Sequence, residues 1–162
     1  MRHIINLEVE NNAGVLARIA GLFSARGFNI DSLSVANTDS EDISRMTLAV
    51  RGDDAIIEQV NKQLNKLIDV IRVTDITRTN YVDRELLLVR VNCPPNQRAD
   101  VSQVAEIFGA KVVDIGPKTL TLEVIGSEQK IDAFVETVRP YGLKEVARSG
   151  PVTMLREAAK RN

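Results

Sequence analysis

The sequence predicts an α+β protein made of two βαββαβ units in tandem, and three observations carry that prediction. Stretches with a period of two alternate with stretches whose apolar residues recur at helical spacing. The order of these stretches over residues 1–77 restarts after residue 84. A polar run, TRTNYVDR, lies where the first set ends and the second begins.

In the first half, Ile5, Leu7 and Val9 alternate with Asn6, Glu8 and Glu10, the pattern of a half-buried strand. NNAGVLARIAGLFSARG then sets Val15, Ile19, Leu22, Phe23 and Arg26 at helical spacing, with asparagines at its head for capping and Gly27 as a stop. Residues 29–36 and 44–50 are short strand-like runs around the turn-forming NTDSED. Asp53 and Asp54 open a second helix with Ile56, Ile57, Val60, Leu64 and Leu67 on one face, and residues 70–76 close the unit as a strand.

The second half repeats the order. ELLLVRVNC is a strand, and residues 100–108 form a helix through Val101, Val104, Ala105 and Phe108, stopped by Gly109. KVVDI and TLTLEVI are strands on either side of Gly116 and Pro117. SEQKIDAFVETVRP is a helix with Ile131, Phe134, Val135 and Val138 inward, and KEVA is a last short strand. The repeat predicts two ferredoxin-like domains, each a four-stranded antiparallel sheet with two helices on one face, over residues 1–77 and 85–148 with a linker at 78–84. The tail, 149–162, carries Gly150, Pro151 and a basic helix-prone run, and is expected to be loosely ordered unless a partner holds it.

Composition narrows the function. With 21 basic and 22 acidic residues scattered along the chain, no broad positive field is present to attract nucleic acid. The N-terminus meets charges too soon for a secretory segment, and no apolar run approaches the roughly 18 residues of a membrane span, so a cytoplasmic protein is expected. Aromatic residues are 4% of the chain, which leaves few platforms for stacking RNA bases on a ferredoxin-like sheet. The lone histidine, His3, reads as an ordinary exposed or edge-strand residue, and no paired Cys or His suggests a metal. The lone cysteine, Cys93, reads as a small semi-buried filler before Pro94, and no nucleophile–base pair is visible for a small hydrolase.

The informative region is the first strand-to-helix turn, ENNAGVL, with the following strand NIDSLSV. Unpaired N–H groups at a helix start attract a carboxylate, so Ala13 to Leu16 offer a place for one. Gly14 permits close approach, and the amides of Asn11 and Asn29 are suited to orient the ammonium and carboxylate of a free amino acid. On spacing alone the plainer reading is the favoured one: Asn11 or Asn12 caps the helix and Gly14 makes a tight turn.

The stretch ENNAGVLARIAGLFSARGFNIDSLSVANTDSEDISRMT closely resembles the ACT domain of the acetohydroxyacid (acetolactate) synthase small-subunit family, and KQLNKLIDVIRVTDIT and EVARSG continue the likeness. It spans essentially the whole chain, with fewer distinctive residues in NCPPNQRADVSQVAEIFGAKVVDI. The resemblance implies a non-catalytic regulatory subunit that binds a large catalytic subunit, raises its activity and confers feedback inhibition by valine in branched-chain amino-acid biosynthesis. It assigns thiamine diphosphate, Mg²⁺ and FAD to that large subunit and no cofactor to this chain. It also implies a valine site at Asn11, Gly14 and Asn29, with Ala13, Val15, Leu16 and Ile30 supplying backbone and apolar contacts and Ser34 and Ala36 shaping the pocket. The second strand of a ferredoxin-like sheet is an edge, so a homodimer joined edge to edge is expected, with valine clasped between chains. The competing reading is a free-standing amino-acid-binding regulator of another enzyme.

Overall fold

A computed structural model of the chain describes residues 1–157. It divides into two compact units, one formed by residues 1–82 with the segment from 152 onward, the other by residues 83–151.

The first unit opens with strand β1 (Arg2–Glu10), followed by helix α1 (Val15–Ser24), strands β2 (Ile30–Asn37) and β3 (Ile43–Arg51), helix α2 (Asp54–Leu64) and strand β4 (Val70–Asp75). The sheet order is β2-β3-β1-β4, and every neighbouring pair is antiparallel. Ile5, Leu7 and Val9 of β1 are buried against Val15, Ile19 and Phe23 of α1 and Ile57, Val60 and Leu64 of α2. The α2 stripe is narrower than the sequence suggests, because Ile56 is exposed beside the buried Ile57.

The second unit contains β5 (Tyr81–Asn92), α3 (Arg98–Phe108), β6 (Lys111–Ile115), β7 (Thr119–Gly126), α4 (Glu128–Val138) and β8 (Leu143–Arg148). Its strand order β6-β7-β5-β8 repeats that of the first sheet. Leu87, Val89 and Val91 of β5 bury against Val101, Ala105, Ile131, Phe134 and Val138, with Cys93 completely enclosed among them. Strand β5 opens at Tyr81, inside the polar stretch 78–84. Glu85 at its inward face is 3% exposed and receives two bonds from Arg148, at 2.7 and 2.9 Å, while Arg148 also reaches Asp132 at 2.8 Å.

The tail departs from expectation. Val152–Leu155 forms a ninth strand, β9, paired with β5. Thr153 is 2% exposed and donates to Asn6 Oδ1 at 2.8 Å, and Thr47 donates to the same oxygen at 3.1 Å. Asn6 and Thr47 lie on the sheet face turned away from the helices, so the tail is anchored by polar groups rather than by an apolar seam. The remainder of the helix-prone run, residues 158–162, lies outside the described residues.

Candidate functional site

Helix α1 begins at Gly14, whose φ of 84° is left-handed backbone that suits glycine. The first helical bond runs from the Arg18 N–H to the Gly14 carbonyl at 3.0 Å. The N–H groups of Leu16 and Ala17 therefore have no acceptor inside the helix. No side chain caps α1 or α3, whereas Asp53 caps α2 through the Ala55 N–H and Ser127 caps α4 through the Lys130 N–H.

The asparagines at the head of α1 have other partners. Asn11 donates from Nδ2 to the Glu41 carbonyl at 2.9 Å, donates its backbone N–H to the Asp42 carbonyl at 2.8 Å, and accepts at Oδ1 from Ser44 at 3.2 Å. Asn12 donates to the Glu10 carboxylate. Capping by these residues, the plainer reading of the spacing, is thus not what the chain does; the helix start is left open.

Asn11, Ala13, Gly14 and Leu16 are exposed around this loop, while the side chain of Val15 is 3% exposed and belongs to the core. Asn29 and Ile30 stand elsewhere. Glu10 pairs with Ile43 and Asn37 with Ser44 at one end of the sheet, whereas Ile30 pairs with Val50, and Val50 with His3, at the other. The seven residue steps of β2 from Ile30 to Asn37 span about 23 Å. One copy of the chain therefore does not bring Asn29 to Asn11 and Gly14. Asn29 donates to Asp31 at 3.3 Å, and Asp31 is held by Arg51 at 2.8 Å.

Ser34 and Ala36 lie opposite Thr47 and Arg45 on the helix-free face. They line a hollow of about 560 Å³ together with Asn37, Arg45, Thr47 and Met154. Sequence reasoning did not single out Ser44, the backbone carbonyls of Glu41 and Asp42, or Thr153. The uncharged polar Asn6 and Thr47, near the middle of β1 and β3, were the one legible sign of the last.

The lone histidine is not exposed. β1 is a central strand, and His3 falls on its helix-facing side in step with Ile5 and Leu7, so it is 4% exposed. Its Nε2 stands 3.3 Å from Asp54 and its Nδ1 3.8 Å from Asp75. Burial pushes the Cys93 thiol above its usual value. Among the described residues no group of three or more His, Cys, Asp or Glu side chains is placed to hold a metal, and no helix is long and apolar enough to cross a membrane.

Known proteins share this architecture along its length. Residues 5–72 match the AHAS small subunit-like ACT domain, and residues 84–157 match the small subunit of acetolactate synthase. The chain is 51% identical over 156 residues to the probable acetolactate synthase small subunit of Archaeoglobus fulgidus, covering 96% of this chain and 98% of that protein. It is 51% identical over 157 residues to the acetolactate synthase small subunit of Aquifex aeolicus, covering 96% and 82%. The crystal structure of the acetolactate synthase small subunit from Thermotoga maritima superposes with a TM-score of 0.88 at 34% identity, covering 98% of this chain and 99% of that one. Identity at this level across both units, on the same fold, means that the chain belongs to the acetolactate synthase small-subunit family as a regulatory, non-catalytic subunit.

Proposed function

We propose that this subunit binds the catalytic large subunit of acetolactate synthase, raises its activity, and lowers it again when valine occupies a site shared by two copies of the chain. The observation that carries the reading is the uncapped start of α1, with an exposed glycine and exposed polar groups around it. Backbone N–H groups there suit the carboxylate of an amino acid, and the helix dipole adds positive potential.

The distance between Asn11 and Asn29 supports a shared site rather than opposing it. β2 is an edge strand with backbone groups open to pairing. Two copies joined across a two-fold axis set their β2 strands antiparallel, so the Ile30 end of one lies beside the Asn37 end of the other. Asn37 is adjacent to Ser44 and Asn11, so Asn29 and Ile30 of one copy approach Asn11, Ala13, Gly14 and Leu16 of its mate. Val15 contributes its backbone only, its side chain being committed to the core. Ser34 and Ala36, on the helix-free side of the same edge strand, act through the shape of β2.

Valine then selects one arrangement of the dimer. The inhibition equals the difference in how the large subunit binds the two arrangements, and a coupling of about 1–3 kcal/mol is ordinary for such systems. In this reading thiamine diphosphate, Mg²⁺ and FAD are held by the large subunit, and no residue of this chain is assigned to them.

Calorimetric titration of the purified chain with L-valine, using threonine and aspartate as controls, tests the site; saturable, valine-selective binding is expected. Reconstitution with the large subunit tests the rest, with activation in the absence of valine and loss of that activation in its presence. Failure to recover a thiamine-dependent enzyme in a pull-down would point instead to a free-standing regulator.

A further inference from the structure

We infer that Ser44 is the positioning residue of the valine site, holding the Asn11 amide in a single orientation; the inference rests on the valine reading above. Ser44, the second residue of β3, lies opposite Val9 of β1 and Asn37 of β2, and is 5% exposed. Its hydroxyl lies 3.2 Å from Asn11 Oδ1 and 3.3 Å from Asn37 Oδ1. A hydroxyl carries one proton, so it cannot serve two carbonyl oxygens fully. The arrangement closes when the Asn37 amide is turned over, an orientation that heavy-atom positions do not distinguish. Asn37 Nδ2 then donates to Ser44 Oγ, and the Ser44 proton is left for Asn11 Oδ1.

The result is a directed chain from Asn37 through Ser44 and Asn11 to the Glu41 carbonyl, which Asn11 Nδ2 reaches at 2.9 Å. Both ends of the Asn11 amide are fixed by it. The second Nδ2 proton is then the group presented to a ligand, and its direction is set before the ligand arrives. Ser44 itself touches no ligand in this arrangement. Its neighbour Asn37 ends the edge strand that receives the second copy, so the loop and the dimer seam share one buried hydroxyl.

The test is calorimetric titration of L-valine into the full chain for wild type, Asn11→Ala, Ser44→Ala, the double variant and Ser44→Thr. Loss of one hydrogen bond corresponds to about a three- to tenfold weakening, which is expected of Ser44→Ala. Because Ser44 works through Asn11, the double variant should bind no more weakly than Asn11→Ala alone. Ser44→Thr retains the hydroxyl and should return affinity to within about twofold of wild type, a recovery that a merely structural role would not give. If Ser44→Ala does not fold, the isosteric pair Ser44→Thr and Ser44→Val makes the same comparison, with only threonine keeping affinity. Wild-type affinity in Ser44→Ala, additive losses in the double variant, or a threonine variant as weak as alanine would each overturn the inference. Should Asn11→Ala bind valine as wild type does, the site assignment falls and this inference with it. Weakening by Asn11→Ala alone defeats only the role given to Ser44.

Discussion

Gly14 is the residue where backbone conformation and the proposed ligand meet. A β-carbon there is strained by the left-handed φ of 84° and stands 3.3 Å from the Arg18 guanidinium, so Gly14→Ala should lower stability by about 1 kcal/mol in a denaturant melt. Gly14→Asp adds a carboxylate that repels the ligand's own, so a reconstituted enzyme carrying it should keep its activation and lose its response to valine. Arg148 answers a different demand, since Glu85 is buried and depends on it for both bonds. Its guanidinium is held above its ordinary value by those bonds to Glu85. Arg148→Met leaves a buried carboxylate without its partner and should cost about 3–5 kcal/mol by chemical denaturation. Cys93 gives a pH signature. Its folded thiol is raised by burial, so its contribution to stability is intact below the unfolded thiol's pKa of about 8.5 and is lost as pH climbs from there toward the folded value. Replacing Cys93 with Ala should remove that alkaline fall from the curve of stability against pH, although the smaller core lowers the curve as a whole.

At the scale of elements, the strap β9 is held by its pairing with β5, by Arg45 donating to the Thr153 carbonyl and by the buried Thr153 side chain, while Val152, Met154 and Leu155 remain substantially exposed. An element anchored by hydrogen bonds with little apolar burial opens at low cost. Thr153→Val should destabilise the chain by about 1 kcal/mol and quicken amide exchange over residues 152–155 without quickening it in β1. The eight repeated strands and four helices were legible because each carries its own period, and the turn signals at Gly27, Asp53 and Gly109 lie where elements end or begin. The ninth strand was not legible. Thr153 meets Asn6 across a separation of 147 residues, and no local pattern encodes a partner that distant. Ile56 and Ile57 show a smaller limit: two adjacent isoleucines advertise the same chemistry, and packing into the core of the first unit decides which one is enclosed. His3 was misjudged for a related reason, because its environment follows from β1 being central rather than from its neighbours in sequence.

For the whole molecule, the proposed site exists only as a relation between copies. The loop ENNAGVL and the edge strand NIDSLSV were both readable, and so was the expectation that they meet across a dimer. What the sequence concealed was the prior commitment of Asn11 to Glu41, Asp42 and Ser44, since these contacts depend on how the β2–β3 turn folds back. Charge on an exposed edge strand opposes edge-to-edge pairing. Val35→Lys, at a position 44% exposed on β2, should therefore shift light-scattering mass from dimer to monomer and weaken valine binding with it. A different consequence concerns the order in which the chain is made. The first unit is begun by residues 1–82 and finished by the segment from 152 onward, after the whole second unit has been synthesised. During translation the surface around Asn6 and Thr47 must wait, bathed in solvent, until the closing strand emerges from the ribosome. Amide and hydroxyl groups tolerate that wait because water satisfies them, whereas an apolar seam would invite aggregation of the nascent chain. The polar chemistry beneath β9 thus suits a surface that must be soluble first and buried last.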